Sequence, residues 1–520
     1  MECPIPPLDA GRRRCERTAL PRRMLRVSHE PVNLRDEGEW AGLWWLPDEP
    51  DQQVPGTLRY TIDDGLRLTL IGAFEDRILS TPVDGVEVVH EGSRSWDVIW
   101  GAAEHKEITL LGGVPTASER TFGARVNSPD KQTVVATSAL IGAHVRNESE
   151  AVFSQCEVSV DNLNQWAASW VFGGTWGAPG GRPDGSGTIT VAPVEEPSVE
   201  VGGAQFVLAH RHTLPYFDQR RGSTVGRVRD TAFIRIKPNQ PCSLSDAMRF
   251  TRLIQDLISL ATHRAAGVIW LRLRVPSPEP ASAGGRPIQD RDVEVVYRSA
   301  KVGDHDGKAV ESHRIFFTCD DIPFEEIIPR WSEVHERLQA ASNMILGLRY
   351  APAQYIENNL LTAVGAAEVL HRGLKIDVPP IPAEEFIAIR EAMLSQVPAE
   401  RQERVKSTLR NDPTLRDRLH ALAARPDTEA ISRLVPNVDR WATVTTRARN
   451  DLAHEGHTPR QSMDELIAIV NVTTAIVILN LLNELGLPAE RQREIVHNNP
   501  QLRSTSSHAR EWLSTPEANL

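Results

Sequence analysis

The period of the apolar residues changes partway along the chain, and that change limits the fold more than any other feature. From about Glu39 to Lys237, apolar and polar residues alternate in short runs, as half-buried strands do. Leu58, Tyr60 and Ile62 alternate, Asp64-Gly65 supplies a type I′ turn signal, and Leu66, Leu68 and Leu70 alternate back. The same pattern marks Trp96-Val98-Trp100, Val199-Val201 before Gly202-Gly203, and Ala232-Ile234-Ile236. Beyond Pro238 the period becomes helical. Ser245 is placed to cap a helix in which Met248, Leu253, Ile254, Leu257, Ile258 and Ala261 recur. Strands are expected again at 267–275, 293–297 and 313–317, with a Pro-rich stretch from Pro276 joining the first two. From about Pro323 onward every segment reads as helix: 324–348, 355–374, 384–394, 400–409, 416–424, 438–455 and 463–485. Their connections are short and often contain Pro, as in a bundle.

The expected fold class is therefore multidomain α+β, and 520 residues suffice for about three cores. Residues 1–36, rich in Arg and Pro, read as a disordered lead-in. Residues 37–240 read as a β-rich domain of sandwich or barrel type, with 173–187 as a mobile Gly-rich loop. Residues 241–322 form a small α+β module, 323–498 an all-α bundle, and 499–520 a polar, frayed tail.

Composition excludes some classes of function. A net charge of −11 argues against a broad basic surface that coats nucleic acid. Positive charge must then be concentrated wherever an anion is handled. The five cysteines (Cys3, Cys15, Cys156, Cys242, Cys319) are scattered and contain no Cys-x-x-Cys pair, which fits a reducing cytoplasm. The most apolar run, Leu466 to Leu482, contains Asn471, Thr473, Thr474 and Asn480. A buried core helix is the expectation there, not a membrane span.

Chemistry concentrates on the helix expected from Asn437 to Gly456. Its core stripe is Val438, Trp441, Val444 or Thr445, Ala448 and Leu452, with Gly456 as C-cap. Arg447, Asn450 and His454 then lie within roughly 60° of one another on the opposite face. Arg449 lies on the flank, about 140° from His454 on an ideal helix. A solvated polar face would look the same. His454 and His457 have the spacing of a metal pair, but no third ligand is evident, and no metal or cofactor is expected. His210 and His212 share one strand face, which reads as an exposed edge. Trp40, Trp44, Trp45, Trp96 and Trp100 are aromatics of the kind that stack on a base or sugar, and in a β domain they are mostly core.

Arg449-Asn450-x-x-x-His454 resembles the R-polar-x-x-x-H signature of the HEPN ribonucleases, which are helical bundles. The run from Tyr355 to Arg372 resembles the opening helix of that fold. The stretch Glu39-Trp40-Ala-Gly-Leu-Trp44-Trp45-Leu-Pro resembles the start of ApeA-type anti-phage proteins, which carry a C-terminal HEPN domain. The resemblance implies metal-independent RNA cleavage at a site shared by two protomers, in abortive infection, with structured RNA such as tRNA as substrate. His454 would be the proton carrier, Arg449 the phosphate stabiliser and Asn450 an orienting group. Arg447 is the rival stabiliser, and Glu368 and Glu357 are possible supporting groups. The expected partners are RNA, a second copy through the helical domain, and a phage-derived trigger at the N-terminal domain, with no membrane. Two alternatives stay open: a catalytically inactive dimeric binding protein, or a carbohydrate-binding β protein using the tryptophans.

Overall fold

The computed structural model describes residues 30–514 except 75–77, 84–85, 92–94, 120–127 and 278–289. Most of the expected lead-in, Cys3 and Cys15, most of the Pro-rich stretch and the last six residues lie outside the described residues. The lead-in nevertheless ends earlier than residue 36. Leu34 is buried, its N–H donates to the Ile269 carbonyl at 2.8 Å, and its carbonyl accepts from the Tyr60 hydroxyl at 2.7 Å.

Among the described residues thirteen strands join in one sheet. Gly38–Trp45, Val54–Thr61, Gly65–Ile71, Lys131–Ala136, Lys106–Glu119 and Trp96–Ala103 pair antiparallel around a ring and close a barrel. Closure depends on the 14-residue strand Lys106–Glu119. A register shift between Pro115 and Ala117 bends it toward Lys131–Ala136, as bulges do at barrel corners. The first half of the same strand pairs with Ser138–Ile141, which leads into the open half of the sheet. The hairpin at Gly65 uses a longer loop than a type I′ turn. Thr61 pairs with Gly65 across residues 62–64, and Gly65 alone is left-handed (φ 70°).

The expected middle module is not separate. Val268–Val275 and Arg291–Tyr297 lie in the centre of the sheet, between Gln155–Val160 and Ser138–Ile141. Their near-continuous apolar runs are those of strands covered on both faces. Residues 313–317 are not a strand either. Ser312–Arg314 is a 3-10 turn, and Ile315, Phe316 and Phe317 are buried in succession without alternation. The expected mobile loop at 173–187 begins and ends in an antiparallel ribbon, Phe172–Trp176 with Gly187–Val191. The β-branched run Thr188-Ile189-Thr190-Val191 supplies its second strand.

Helix α1 is Leu163–Ala167 and α2 is Leu244–Thr262, capped by Ser243 rather than Ser245 in a reciprocal box with Asp246. The helix expected over 324–348 is two, α3 (Phe324–Arg337) and α4 (Gln339–Tyr350), broken at Leu338. Then follow α5 (Ile356–Gly373), α6 (Ala383–Ser395), α7 (Ala399–Thr408), α8 (Leu415–Ala423) and α9 (Thr428–Leu434). The last four are α10 (Val438–Glu455), α11 (Met463–Glu484), α12 (Ala489–Asn498) and α13 (Pro500–Trp512).

Helix α11 is long and apolar enough to cross a membrane by length and composition, and 83% of its most apolar window is buried inside the protein. It packs against α4, α5, α8, α10 and α13. Its buried Asn480 donates to the Leu422 and Ile476 carbonyls, both at 2.9 Å, so no polar group is stranded there. The frayed tail is instead α13. Asn499 caps it, accepting from the Gln501 and Leu502 N–H groups, and its amide donates to the Arg314 carbonyl at 2.9 Å. Leu502, Ala509 and Leu513 are buried beneath a polar outer face, which is what the composition of this segment hid. One apolar core runs from the barrel through α2 and α3 into the bundle.

Candidate active site

Helix α10 is where local sequence dictates structure most directly. The Asn437 side chain accepts from the Arg440 N–H, and Gly456 closes the helix in the left-handed region at φ 75°. Trp441, Val444, Thr445, Ala448 and Leu452 are buried, as the stripe requires. Two polar contacts fix the helix on α11: the Trp441 indole donates to the Thr473 hydroxyl at 3.2 Å, and Arg440 pairs with Glu465 at 3.3 Å. Its last two turns therefore have a fixed outward face.

On that face the motif residues separate. Asn450 and His454 are exposed, and Arg447 is half-buried. Arg449 turns to α5, where its guanidinium lies 3.3 Å from Glu368 and donates to the Asn450 Oδ1 at 3.4 Å. Glu368 is only 18% exposed and also meets Arg372 at 3.9 Å. Glu368 thus enters the site. Glu357 does not, since it lies in the first turn of α5, eleven residues away.

Arg449 and Glu368 border a cleft of about 260 Å³ with Met344 of α4 and Leu361, Gly365 and Val369 of α5. A Cβ on Gly365 would fall 2.8 Å from the Met344 terminal methyl, so the glycine makes room for the flexible end of that side chain. Sequence reading did not place Met344 or Gly365 in the site. The one signal was a glycine interrupting an otherwise good helix.

The other sequence candidates fall elsewhere. The His457 Nδ1 bonds the Glu455 carbonyl at 3.1 Å in the exposed loop after α10. Among the described residues no group of three or more His, Cys, Asp or Glu is gathered to hold a metal. His210 is not on an exposed edge. Its Nε2 bonds the Ser169 hydroxyl at 2.9 Å and its Nδ1 the Asp230 carboxylate at 3.0 Å, while His212 is exposed. Trp40, Trp44 and Trp96 are buried, and Trp100 donates to the Val145 carbonyl at 2.8 Å under the His144 ring. Trp45 is half-buried, edge-on to His144, so these five tryptophans belong to the packing of the barrel. Cys156, Cys242 and Cys319 are free thiols, and burial pushes the Cys242 thiol up to about 11.

Against known families, residues 39–331 match the family model described as ApeA N-terminal domain 1, and residues 361–491 match that described as Apea-like HEPN. The HEPN match takes in α5 from Leu361 onward, with Glu368, and the whole of α10, with Arg449, Asn450 and His454. No curated protein and no solved structure matches the chain.

Proposed function

The chain belongs to the ApeA family, and from that premise we propose that its HEPN domain cuts RNA across two facing copies of α10, using the substrate's own 2′-OH as nucleophile. What carries this reading is the division of the motif within one chain. Arg449 is held toward Glu368, whereas His454 stands exposed on another part of the same helix. A second copy of the helix supplies the arrangement that one copy lacks.

The chemistry asks for little beyond these groups. A base takes the 2′-OH proton, an acid protonates the leaving 5′-oxygen, and a cation stabilises the charge on the phosphorane. Imidazole exchanges protons near neutral pH, so one His454 ring, set opposite the other protomer's Arg449, takes the 2′-OH proton and then gives it to the leaving 5′-oxygen. Arg449 offers its planar fork to the phosphate. Asn450, already accepting from Arg449, orients that fork. Arg447 is the second cation on the histidine's face. The role that fits is defence against phage through cleavage of structured RNA, tRNA first, in the cytoplasm, with the N-terminal region as sensor.

Purified protein incubated with RNA, with and without EDTA, tests this. The expected products end in 2′,3′-cyclic phosphate or 3′-phosphate, form equally well with chelator, and are absent with His454→Ala. A strict need for Mg²⁺, 3′-OH ends, or full activity of His454→Ala overturns it.

A further inference from the structure

A second cleft, of about 990 Å³, opens where the open half of the sheet meets the ends of α2 and α4. Its acidic groups are already engaged. Asp230 is bonded by His210 at 3.0 Å, Asp304 pairs with Arg35 at 2.7 Å, and Asp306 pairs with Arg229 at 3.6 Å. Asp161 accepts from the backbone N–H groups of Gly267 and Asp304 at 3.0 and 2.8 Å.

Arg229 and Lys308 are paired, with Asp306 and Glu311, but two further cations are not matched in this way. Arg349, in the last turn of α4, and Arg264, just past α2, line the cleft, and among the described residues neither pairs with a carboxylate. The Arg349 Nε is closed off with no hydrogen-bond partner, and burial lowers the guanidinium's pKa. A half-buried cation without a counter-charge is costly. Beside it His263 caps α2 in the left-handed region at φ 53°, with both ring nitrogens buried and the Gln501 side chain beside the ring. Trp170 and Phe172 line the same cleft and are 53% and 39% exposed. Trp170 is not loosely hung, because Ser169 before it is bonded to His210, itself locked by Asp230.

Cations that lack a carboxylate partner and exposed aromatics lining one cavity of this size fit one ligand chemistry. We propose that this cleft binds a nucleoside phosphate, with phosphate at Arg349 and Arg264 and the base on Trp170 or Phe172. The ligand is either a free nucleotide or the terminal nucleotide of an RNA. The proposal stands apart from RNA cleavage, but it bears on control. Arg349 lies on the same helix as Met344, five residues on, and Met344 borders the Arg449 cleft.

Binding is read by calorimetry on the full chain carrying His454→Ala, which keeps RNA probes intact and separates this test from that of the nuclease. The probes are AMP, ATP, inorganic phosphate and a short 5′-phosphorylated RNA. The expected result is saturable binding of at least one nucleotide probe, weakened about tenfold or more by Arg264→Ala and by Trp170→Ala. Both side chains are exposed, so unchanged thermal unfolding of these variants certifies the fold; Arg349→Gln should abolish binding. ATP or AMP alone identifies a free nucleotide, and RNA alone a strand end. No binding by any probe, binding indifferent to all three substitutions, or phosphate binding as well as every nucleotide overturns the proposal.

Discussion

The Arg449 guanidinium lies 3.3 Å from the Glu368 carboxylate, across the gap between α10 and α5. This pair holds the motif's cation on the flank of α10, about 140° around an ideal helix from His454. If Arg449 of one protomer works with His454 of the other, two inactive variants must complement. Arg449→Ala and His454→Ala should each be inactive alone. Mixed and reassociated in equal amounts, half the dimers are heterodimers with one intact site in two, so about a quarter of wild-type cleavage should return. Cleavage that stays at zero in a verified heterodimer places both groups in one chain.

Glu368 is argued to act through Arg449, as a positioning residue. Glu368→Gln keeps an oxygen acceptor and removes the charge that partly neutralises the guanidinium. RNA should then bind more tightly while kcat falls about tenfold, because the fork is no longer aimed. Arg449 is 36% exposed, so neither Arg449→Ala nor Glu368→Gln should move stability by more than about 1 kcal/mol. A drop in thermal stability large enough to explain the lost rate would make the pair structural.

Helix α10 and its motif were legible because their determinants are local: the Asn437 cap, the Trp441–Leu452 stripe and the Gly456 stop. The sheet's centre was not. Ser138–Ile141 and Gln155–Val160 are buried at every residue, so they show no alternation, and their partners lie more than a hundred residues away in several pairings. The buried ion pair of Arg272 with Glu294, at 2.8 Å between central strands, has the sequence appearance of two surface charges. Glu368 could be nominated from its helix, but its partner could not. His263 and Arg349 meet one cleft from segments 86 residues apart, a juxtaposition that no period or motif encodes.

Helix α13 makes a second check, on the stability of the whole bundle. Leu502 is buried at 2% exposure, and Asn499 ties the start of the helix to the Arg314 carbonyl. Leu502→Ala should cost about 2–5 kcal/mol in chemical unfolding. A chain ending at Asn499 should lose more, since it also uncovers α11. Leu502→Ala with wild-type stability would return this segment to the status of a tail.

His263 sets the acid limit of the fold. Burial, then the charge of Arg349, pushes its imidazole down to about 3, against a smaller upward pull from the Gln501 side chain. In the unfolded chain the same group titrates near 6.5. Between those values the unfolded state holds a proton that the folded state refuses, so unfolding is favoured as pH falls. The contribution is intact above about pH 6.5 and erodes steadily below it, reaching about 2 kcal/mol of loss by about pH 5. His371, also lowered by burial, adds a term of the same sign. Depressed carboxylates such as Asp246 and Asp417 lose their contributions only below about pH 4.5, outside this window. Asparagine tolerates the left-handed backbone at position 263 and carries no titrating group. His263→Asn should therefore shrink the stability difference between about pH 7.5 and pH 5 by about 2 kcal/mol, read from urea midpoints at the two values. An unchanged difference would mean that the imidazole takes up its proton within the folded protein, and that it is not sealed at the floor of the cleft.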